Sequence, residues 1–259
     1  MTPFELKRPK SISEAQSAFS GDAAFLAGGH TLIPAIKSRL RAVDTLVDLS
    51  SVQGLDAIAI EGDRLVIGAM ARHAVVAASP VAAKAIPGLA ALASGIGDPQ
   101  VRNRGTIGGS VANNDPAADY PAALLALDAV VETTHGSHAA EDYFQGMFST
   151  ALADGELITR ISFRVPVASA YAKHPHPASR YALAGVYVAK FADGVRVAVT
   201  GATTAVTRWP EAEAAIATGA SLEGLSLQSD DLAADIHAGA AFRAHLAGVM
   251  LRKAAGSLV

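Results

Sequence analysis

The stretch FLAGGHTLIP, residues 25–34, joins a short apolar run to a helical pattern through two adjacent glycines. Glycine reaches positive φ and lets a ligand approach main-chain N–H groups without meeting a Cβ. The helix that follows adds free N–H donors and a partial positive charge at its first turn. The stretch therefore predicts a loop that holds an anion such as phosphate. A similar device recurs in GTIGGSVANND, residues 105–115.

Paired glycines also occur in ordinary turns, which is the simpler interpretation of each loop taken alone. Two such loops in one chain favour ligand binding, and Thr106, Ser110 and Asp119 add hydroxyl and carboxylate groups near the second loop. Neither loop matches a common nucleotide motif. The chain has no G-x-x-x-x-G-K, and GIGDPQ, residues 95–100, lacks the third glycine of G-x-G-x-x-G. A P-loop or a Rossmann fold is therefore not expected.

Composition and charge narrow the class of protein. The 259 residues are 51% hydrophobic, which is enough for a substantial core, and the formal net charge of -3 with scattered Lys and Arg argues against nucleic acid. The chain has no cysteine, so any cysteine-ligated iron–sulfur cluster must belong to a partner. The first residues lack the order of a signal peptide, and no stretch approaches the roughly 18 apolar residues of a membrane span. We therefore expect a soluble, cytoplasmic protein.

Short β-like segments alternate with helical ones through the first 165 residues, which indicates an α/β or α+β fold. A serine cap, Ser11 or Ser13, precedes the first helical stretch. The pattern TLIPAIKSRL predicts a helix over residues 31–40 with Leu32, Ile36 and Leu40 on one face.

Strands are predicted in AAFLAG and TLVDLS, and a hairpin that turns at residues 61–63. Helix is predicted in SPVAAKAIPGLAALASGIG, where Pro87 interrupts it, helix and then strand in DYPAALLALDAVVETT, and further strand in ELITRISFRV. Residues 165–179 mix Pro, Ser, Ala and His without clear periodicity, which predicts a domain boundary. A second hairpin turning at residues 192–194 and alanine-rich helices follow.

Several long segments carry a more specific signal. FLAGGHTLIPAIKSRL, GIGDPQVRNRGTIGGSVANNDPAADYPAALLALDA, FQGMFSTALADGELITRISF and HPASRYALAGVYVA resemble, in order, the FAD-binding medium subunit of molybdenum hydroxylases. That family includes xanthine dehydrogenase-type FAD-binding domains, and the resemblance is greatest to flavoprotein subunits of the carbon monoxide dehydrogenase type. It covers nearly the whole chain.

The resemblance implies an α+β fold with a two-subdomain FAD-binding unit of the vanillyl-alcohol-oxidase type. The FAD-binding domain would span residues 1–165, with subdomains at about 1–55 and 56–165. A small C-terminal domain of antiparallel sheet and helices would span residues 178–259.

The resemblance also implies a set of cofactor-binding residues. Two pyrophosphate loops would wrap the FAD diphosphate with backbone N–H groups; Asn113 and Asp119 would lie near the ribityl chain or the adenosine; and Ile96 and Ile158 would give apolar contacts. Lys173 matches a family lysine near the flavin only loosely. The residues of the two loops are Ala27, Gly28, Gly29, His30, Thr31 and Leu32, and Thr106, Ile107, Gly108, Gly109 and Ser110.

By the same resemblance the chain is an electron-transfer oxidoreductase subunit with no catalytic acid–base pair and no metal site of its own. It would take electrons from the [2Fe-2S] clusters of an iron–sulfur subunit, beside a molybdopterin subunit, in a dimer of heterotrimers, and pass them to an external acceptor. FAD would be non-covalent, although more distant flavoproteins attach FAD to a histidine at the position of His30. A stand-alone flavin oxidase or dehydrogenase and a non-enzymatic FAD carrier are the alternatives.

The other histidines give weaker signals. His174 and His176 have a spacing that suggests a metal, but no further ligand accompanies them at suitable spacing. The remaining histidines are expected to be surface or locally satisfied residues: His73, His135, His138, His237 and His245.

Overall fold

The computed structural model describes residues 3–258, so the outermost residues of both predicted domains (1, 2 and 259) lie outside the described range. The first part of the chain is a three-stranded parallel sheet, in the order β1-β3-β2, with two short helices. Its elements are β1 (Glu5–Lys7), α1 (Ile12–Ala18), β2 (Ala23–Leu26), α2 (Leu32–Lys37) and β3 (Thr45–Asp48), followed by a 3₁₀ turn at Leu49–Ser51.

Ser11 is the N-cap of α1, because its hydroxyl accepts a hydrogen bond from the Glu14 N–H at 3.2 Å. This selects Ser11 over Ser13 as the cap. The predicted extent of α2 is wrong, because the helix ends at Lys37 and Arg39 adopts φ +58°, which turns the chain out of the helix. Ile36 is buried as expected, but Leu40 is 84% exposed and does not continue the apolar face.

The middle of the chain forms a five-stranded sheet in the order β4-β5-β10-β6-β7, covered by a group of short helices. The predicted hairpin β4–β5 and the helix break at Pro87 are confirmed. The elements are β4 (Ile58–Glu61), β5 (Arg64–Gly68), α3 (His73–Ala78), α4 (Pro80–Ala85), α5 (Pro87–Ser94), α6 (Pro99–Arg104), α7 (Ile107–Asn113), α8 (Tyr120–Ala126), β6 (Val130–Thr133), β7 (Ser137–Ala139), α9 (Ala140–Tyr143), β8 (Phe144–Gly146), β9 (Ser149–Thr150) and β10 (Ile158–Arg164).

The last part is a four-stranded antiparallel sheet in the order β11-β12-β13-β14, with two helices. The hairpin β12–β13 lies where the sequence predicts it. The elements are β11 (Ala168–Pro175), β12 (Ala182–Phe191), β13 (Gly194–Thr200), β14 (Thr207–Arg208), α10 (Pro210–Thr218) and α11 (Ala240–Ala255). Strand β11 lies within residues 165–179, where the sequence shows no clear periodicity and predicts no strand.

Helix α8 holds the middle and last parts of the chain together. Every residue from Tyr120 to Ala126 is buried, since the helix lies against both β12 and β13. Strand β12 is apolar on both faces for the same reason, and Tyr187 belongs to the core that contains Leu65 and Phe163 of the five-stranded sheet. The α+β class is therefore confirmed, and the division into domains at residues 165 and 178 stays a prediction. Within residues 3–258, no helix is long and apolar enough to cross a membrane.

Candidate functional site

A cleft of about 570 Å³ opens between the parallel sheet and the helices that cover the five-stranded sheet. One wall is the loop from β2 into α2, and the opposite wall is formed by the end of α6 and the first turn of α7. Residues 152–156 and the turn at residues 179–181 complete its rim. Its volume lies within the range of small-molecule and cofactor sites, which is roughly 300–1,000 Å³.

Most of the predicted cofactor-binding residues line this cleft. They are Ala27, Gly28, Gly29, His30, Thr31, Leu32, Ile96, Thr106, Gly109, Ser110, Asn113 and Asp119. The other four lie behind its walls. Ile107, Gly108 and Ile158 are buried in the protein, and Lys173 contacts two cleft residues, Asp119 and Arg180, through hydrogen bonds.

The first loop has free hydrogen-bond donors. Within residues 3–258, the successive N–H groups from Gly28 to Leu32 donate to no acceptor of the protein. The His30 ring lies beside the loop, with Nδ1 3.1 Å from the Gly28 carbonyl oxygen. A run of unpaired N–H groups at the start of a helix is suited to an anion.

The second loop differs from the prediction. It is the first turn of α7, and its N–H groups are used inside the protein: Ile107 donates to Ala71, Gly108 to Ala69, and Gly109 and Ser110 to the hydroxyl and carbonyl oxygens of Thr106. The expectation that both loops offer free N–H groups to a diphosphate is therefore wrong for this one. What it presents to the cleft is the side chain of Ser110 and the backbone of Gly109.

Glycine is required at different positions of the two loops for different structural reasons. A Cβ on Gly28 would overlap the Arg104 carbonyl oxygen, so this glycine lets the two walls meet. A Cβ on Gly108 would lie 2.6 Å from the Cβ of Ala69, so this glycine lets α7 pack closely on the chain after β5. Gly29 instead supplies a left-handed backbone, with φ +73°.

We expect Gly29→Ala to destabilise the chain by about 1–2 kcal/mol, because an L side chain is strained at that φ. It should also weaken ligand binding in the cleft, since the new methyl would lie 3.1 Å from Ile33 Cγ1 and 3.2 Å from Leu26 Cδ1 and would shift the loop. Gly21→Ala is the matched control, with φ +62° and nothing within 4 Å. Equal losses of FAD affinity in the two variants, measured by titration, would contradict this role of Gly29.

Asp119 is a deeply buried charged group of the cleft. Its carboxylate accepts a hydrogen bond from Tyr171 Oη at 2.5 Å and from Lys173 Nζ at 2.9 Å, and its side chain is only 5% exposed. Burial raises the pKa of Asp119, and the Lys173 ammonium and the Tyr171 hydroxyl oppose that rise. Lys173 also donates to the Arg180 carbonyl oxygen at 3.0 Å. Lys173 thus orients Asp119 and the turn at the cleft rim.

The turn that leads into α8 fixes the position of Asp119. Asp115 Oδ1 accepts the Ala117 N–H at 2.9 Å, which stabilises a turn at Asp115 and Pro116. Arg102 has a comparable structural role, because its Nη1 donates to the carbonyl oxygens of Ile96 at 2.8 Å and Gly97 at 3.1 Å.

Glu156 lines the cleft but is absent from the set predicted from sequence. Its carboxylate accepts hydrogen bonds from Thr133 Oγ1 and the Ala153 N–H, and His138 Nε2 and His135 Nδ1 lie 3.4 and 3.8 Å from it. Burial by itself would raise the pKa of Glu156, but the hydrogen bonds outweigh it and the pKa is lowered. His135 and His138 are therefore locally satisfied, as expected.

His73 departs from the expectation of a surface or locally satisfied residue. It is 4% exposed, lines the cleft, and its Nδ1 is buried without a hydrogen-bond partner within residues 3–258. Burial lowers the pKa of His73 from 6.5 to about 4, helped by the neighbouring charges of His30 and Arg102. The imidazole is therefore neutral at neutral pH.

The lowered pKa of His73 predicts that the folded protein becomes less stable as the pH decreases. Between about pH 6.5 and about pH 4 the unfolded chain binds a proton at His73 and the folded chain does not, so stability decreases as pH falls through that window. When the pH is lowered from about 7.5 to about 5, proton binding at His73 in the unfolded chain should lower the unfolding free energy of the FAD-free chain by about 2 kcal/mol. Urea unfolding of wild type and His73→Phe at both pH values tests this. An equal pH dependence in the two proteins would contradict it.

Comparison with known proteins defines the class to which this site belongs. Residues 2–167 match the family described as FAD binding domain in molybdopterin dehydrogenase. The chain therefore belongs to this family of FAD-binding oxidoreductase subunits, and the resemblance found in the sequence is confirmed.

Particular relatives cover nearly the whole chain. It is 38% identical to the carbon monoxide dehydrogenase medium chain of Afipia carboxidovorans, over 97% of this chain and 95% of that one. It is 35% identical to the nicotine 6-hydroxylase medium subunit of Paenarthrobacter nicotinovorans, over 95% and 93%. A chain of the reconstituted CO dehydrogenase from Oligotropha carboxidovorans superposes with a TM-score of 0.89 at 35% identity, over 98% of this chain and 96% of that one.

The residues of the cleft fit FAD. The N–H groups from Gly28 to Leu32, unpaired within residues 3–258, suit its diphosphate, and Phe25 and Ile96 offer apolar contacts for its ring systems. The chain is therefore an FAD-binding subunit, and the cleft is the candidate site for that cofactor.

Proposed function

We propose that this chain is the electron-transfer subunit of a molybdenum hydroxylase. It receives electrons from the [2Fe-2S] clusters of a partner subunit and delivers them to an external acceptor. The observation that carries the proposal is the free donor run at Gly28–Leu32 in a cofactor-sized cleft, in a chain that aligns along nearly its whole length with medium subunits of such enzymes.

FAD supplies the redox chemistry when it is bound, and the protein supplies binding, orientation and electrostatics. In this proposal the amides of Gly28 to Leu32 hold the diphosphate. Ser110, Asn113 and Asp119 offer hydroxyl, amide and carboxylate groups to the polar middle of the cofactor, and Ile96 gives an apolar contact. Binding is non-covalent, with His30 as a loop residue; flavin that stays on the polypeptide after denaturation would contradict this.

The composition of the chain is compatible with iron–sulfur clusters in a partner subunit. It contains no cysteine, so the thiolates that hold iron–sulfur clusters come from another polypeptide. In this proposal an iron–sulfur subunit and a molybdopterin subunit complete the enzyme as a dimer of heterotrimers, in the cytoplasm. The folds of the two domains, at residues 1–165 and 178–259, provide the cofactor site and its cover.

Co-expression with the neighbouring genes tests the assembly. We expect the chain to co-purify with one iron–sulfur chain and one molybdopterin chain, and the complex to contain FAD that is released on denaturation. A stable FAD-loaded monomer that turns over a small substrate without partners would overturn the proposal.

The second candidate function is a self-sufficient flavin oxidase or dehydrogenase. It would need a substrate beside the flavin and a positioned acid or base. The enclosed carboxylates of the cleft are already engaged, Asp119 with Lys173 and Tyr171, and Glu156 with Thr133 and its histidines. This arrangement favours the electron-transfer subunit.

A further inference from the structure

His73 is a buried polar side chain at the cleft whose Nδ1 finds no hydrogen-bond partner among residues 3–258. It is the first residue of α3, and its N–H donates to the Gly105 carbonyl oxygen at 3.0 Å, which fixes the ring against the end of α6. A Cβ on Gly105 would lie 2.5 Å from His73 Nε2, so the imidazole edge lies directly on this glycine of the cleft wall. Burying a polar ring without hydrogen bonds is costly, so the arrangement needs an explanation.

The tautomer follows from the burial of the two ring nitrogens. Within residues 3–258, Nδ1 is buried without a hydrogen-bond partner, and the ring centroid lies 5.4 Å from that of Tyr120. A neutral imidazole has one donor and one acceptor nitrogen, and an unpaired buried donor is rarer than an unpaired buried acceptor. The proton therefore belongs on Nε2, the nitrogen at the Gly105 wall.

The surroundings of His73 favour an anion over a cation. The two side chains that help burial to lower the pKa of His73 are both basic, His30 and Arg102, while Tyr120 is neutral because burial raises its pKa well above the usual range. The two walls of the cleft meet where Gly28 of the first loop packs on Arg104 and Gly105. The free amides of that loop and the Nε2–H of His73 therefore lie on either side of this contact.

We propose that His73 is a cofactor-binding residue whose Nε2–H donates a hydrogen bond to a phosphate oxygen of FAD. This inference rests on the placement of FAD in the cleft proposed above. It adds a contact from α3, an element that neither glycine loop contains. It also gives Nε2–H an acceptor that arrives with the ligand, while Nδ1 remains a buried acceptor without a partner within residues 3–258.

The test compares His73→Phe, which keeps the ring but has no donor, with His73→Gln, which retains an N–H donor. Hydrogen bonds to charged groups predict that the Phe variant binds FAD and adenosine diphosphate about 10- to 100-fold more weakly than wild type. Riboflavin, which has no phosphate, should show no such loss. The Gln variant should recover most of the affinity, and His245→Phe, at an exposed position on α11, should bind as wild type does.

Stability separates a binding role from a structural one. At neutral pH the unfolding free energy of FAD-free His73→Phe should equal or exceed that of wild type, because the variant removes an unpaired buried polar atom. Wild-type affinity for FAD and adenosine diphosphate in the Phe variant would overturn the proposal. So would a loss for riboflavin as large as that for FAD.

If His73→Phe does not fold, the wild-type protein still decides the question. Nitrogen-15 NMR of histidine-labelled protein should show a shift of the His73 Nε2 resonance on addition of adenosine diphosphate, and no shift would overturn the proposal. Electron delivery by the iron–sulfur partner is measured separately, so a failed partner assay leaves the His73 result interpretable.

Discussion

Asp119→Ala is expected to destabilise the FAD-free chain by about 3–5 kcal/mol, because it leaves the Lys173 ammonium buried without its partner. Lys173 is only 10% exposed, and Asp119 accepts both its Nζ and the Tyr171 hydroxyl. The loss is measured by urea unfolding at neutral pH. FAD affinity should fall with it, since the turn carrying Arg180 is held by the same lysine.

Two comparisons isolate the charge. Glu5→Ala removes an exposed ion pair with Lys7 and should cost less than about 1 kcal/mol. The double variant Asp119→Ala with Lys173→Met should recover much of the stability that Asp119→Ala loses, since no buried charge remains unpaired. If the double variant is no more stable than Asp119→Ala alone, the unpaired Lys173 ammonium is not the cause of the lost stability, and the prediction is wrong.

Gly28→Ala is expected to lower FAD affinity about 10- to 100-fold, because a shifted loop loses charge-assisted hydrogen bonds to the diphosphate. The new Cβ would overlap the Arg104 carbonyl oxygen and lie 2.7 Å from Gly105 Cα, and both are backbone atoms that no rotamer change can move. Gly105 cannot retreat easily, since its N–H and carbonyl are bonded to Val101 and His73. Overpacking of this kind costs about 1–3 kcal/mol of stability as well.

Gly239→Ala serves as the control, because Gly239 lies at the start of α11 with open space around its Cα. Isothermal titration of the FAD-free variants gives the affinities. If Gly28→Ala binds FAD as tightly as Gly239→Ala, contact between the two walls does not position the first loop.

Local signals were sufficient for much of the fold and for the first loop. Serine caps, proline breaks and glycine turns act within a few residues, so α1, α5 and the two hairpins follow from the sequence. Leu40 was placed wrongly because the left-handed backbone at Arg39 has no clear sequence signal. Strand β11 was missed because its alternation is hidden by alanines and small residues.

The cleft residues that the sequence did not predict are brought there by contacts between segments far apart in the chain. His73 reaches the cleft because α3 lies against α6. Glu156 reaches it because the loop before β10 packs on the first part of the chain, where Leu157 shares a core with Val47. The repeated glycine pair was also misleading, since Gly108 serves helix packing on Ala69 while Gly29 serves a turn. The two similar glycine pairs of this sequence therefore have different structural roles.

We propose that this chain binds FAD in the cleft and relays electrons from an iron–sulfur partner. The most direct measurement is rapid mixing of the oxidised, FAD-loaded chain with its separately reduced iron–sulfur subunit, followed by the flavin absorbance. We predict that the flavin is reduced as the clusters are oxidised, and that Gly28→Ala, which retains less FAD, shows a proportionally smaller change. A flavin that stays oxidised beside reduced clusters, yet is reduced directly by a small organic substrate, would contradict the account.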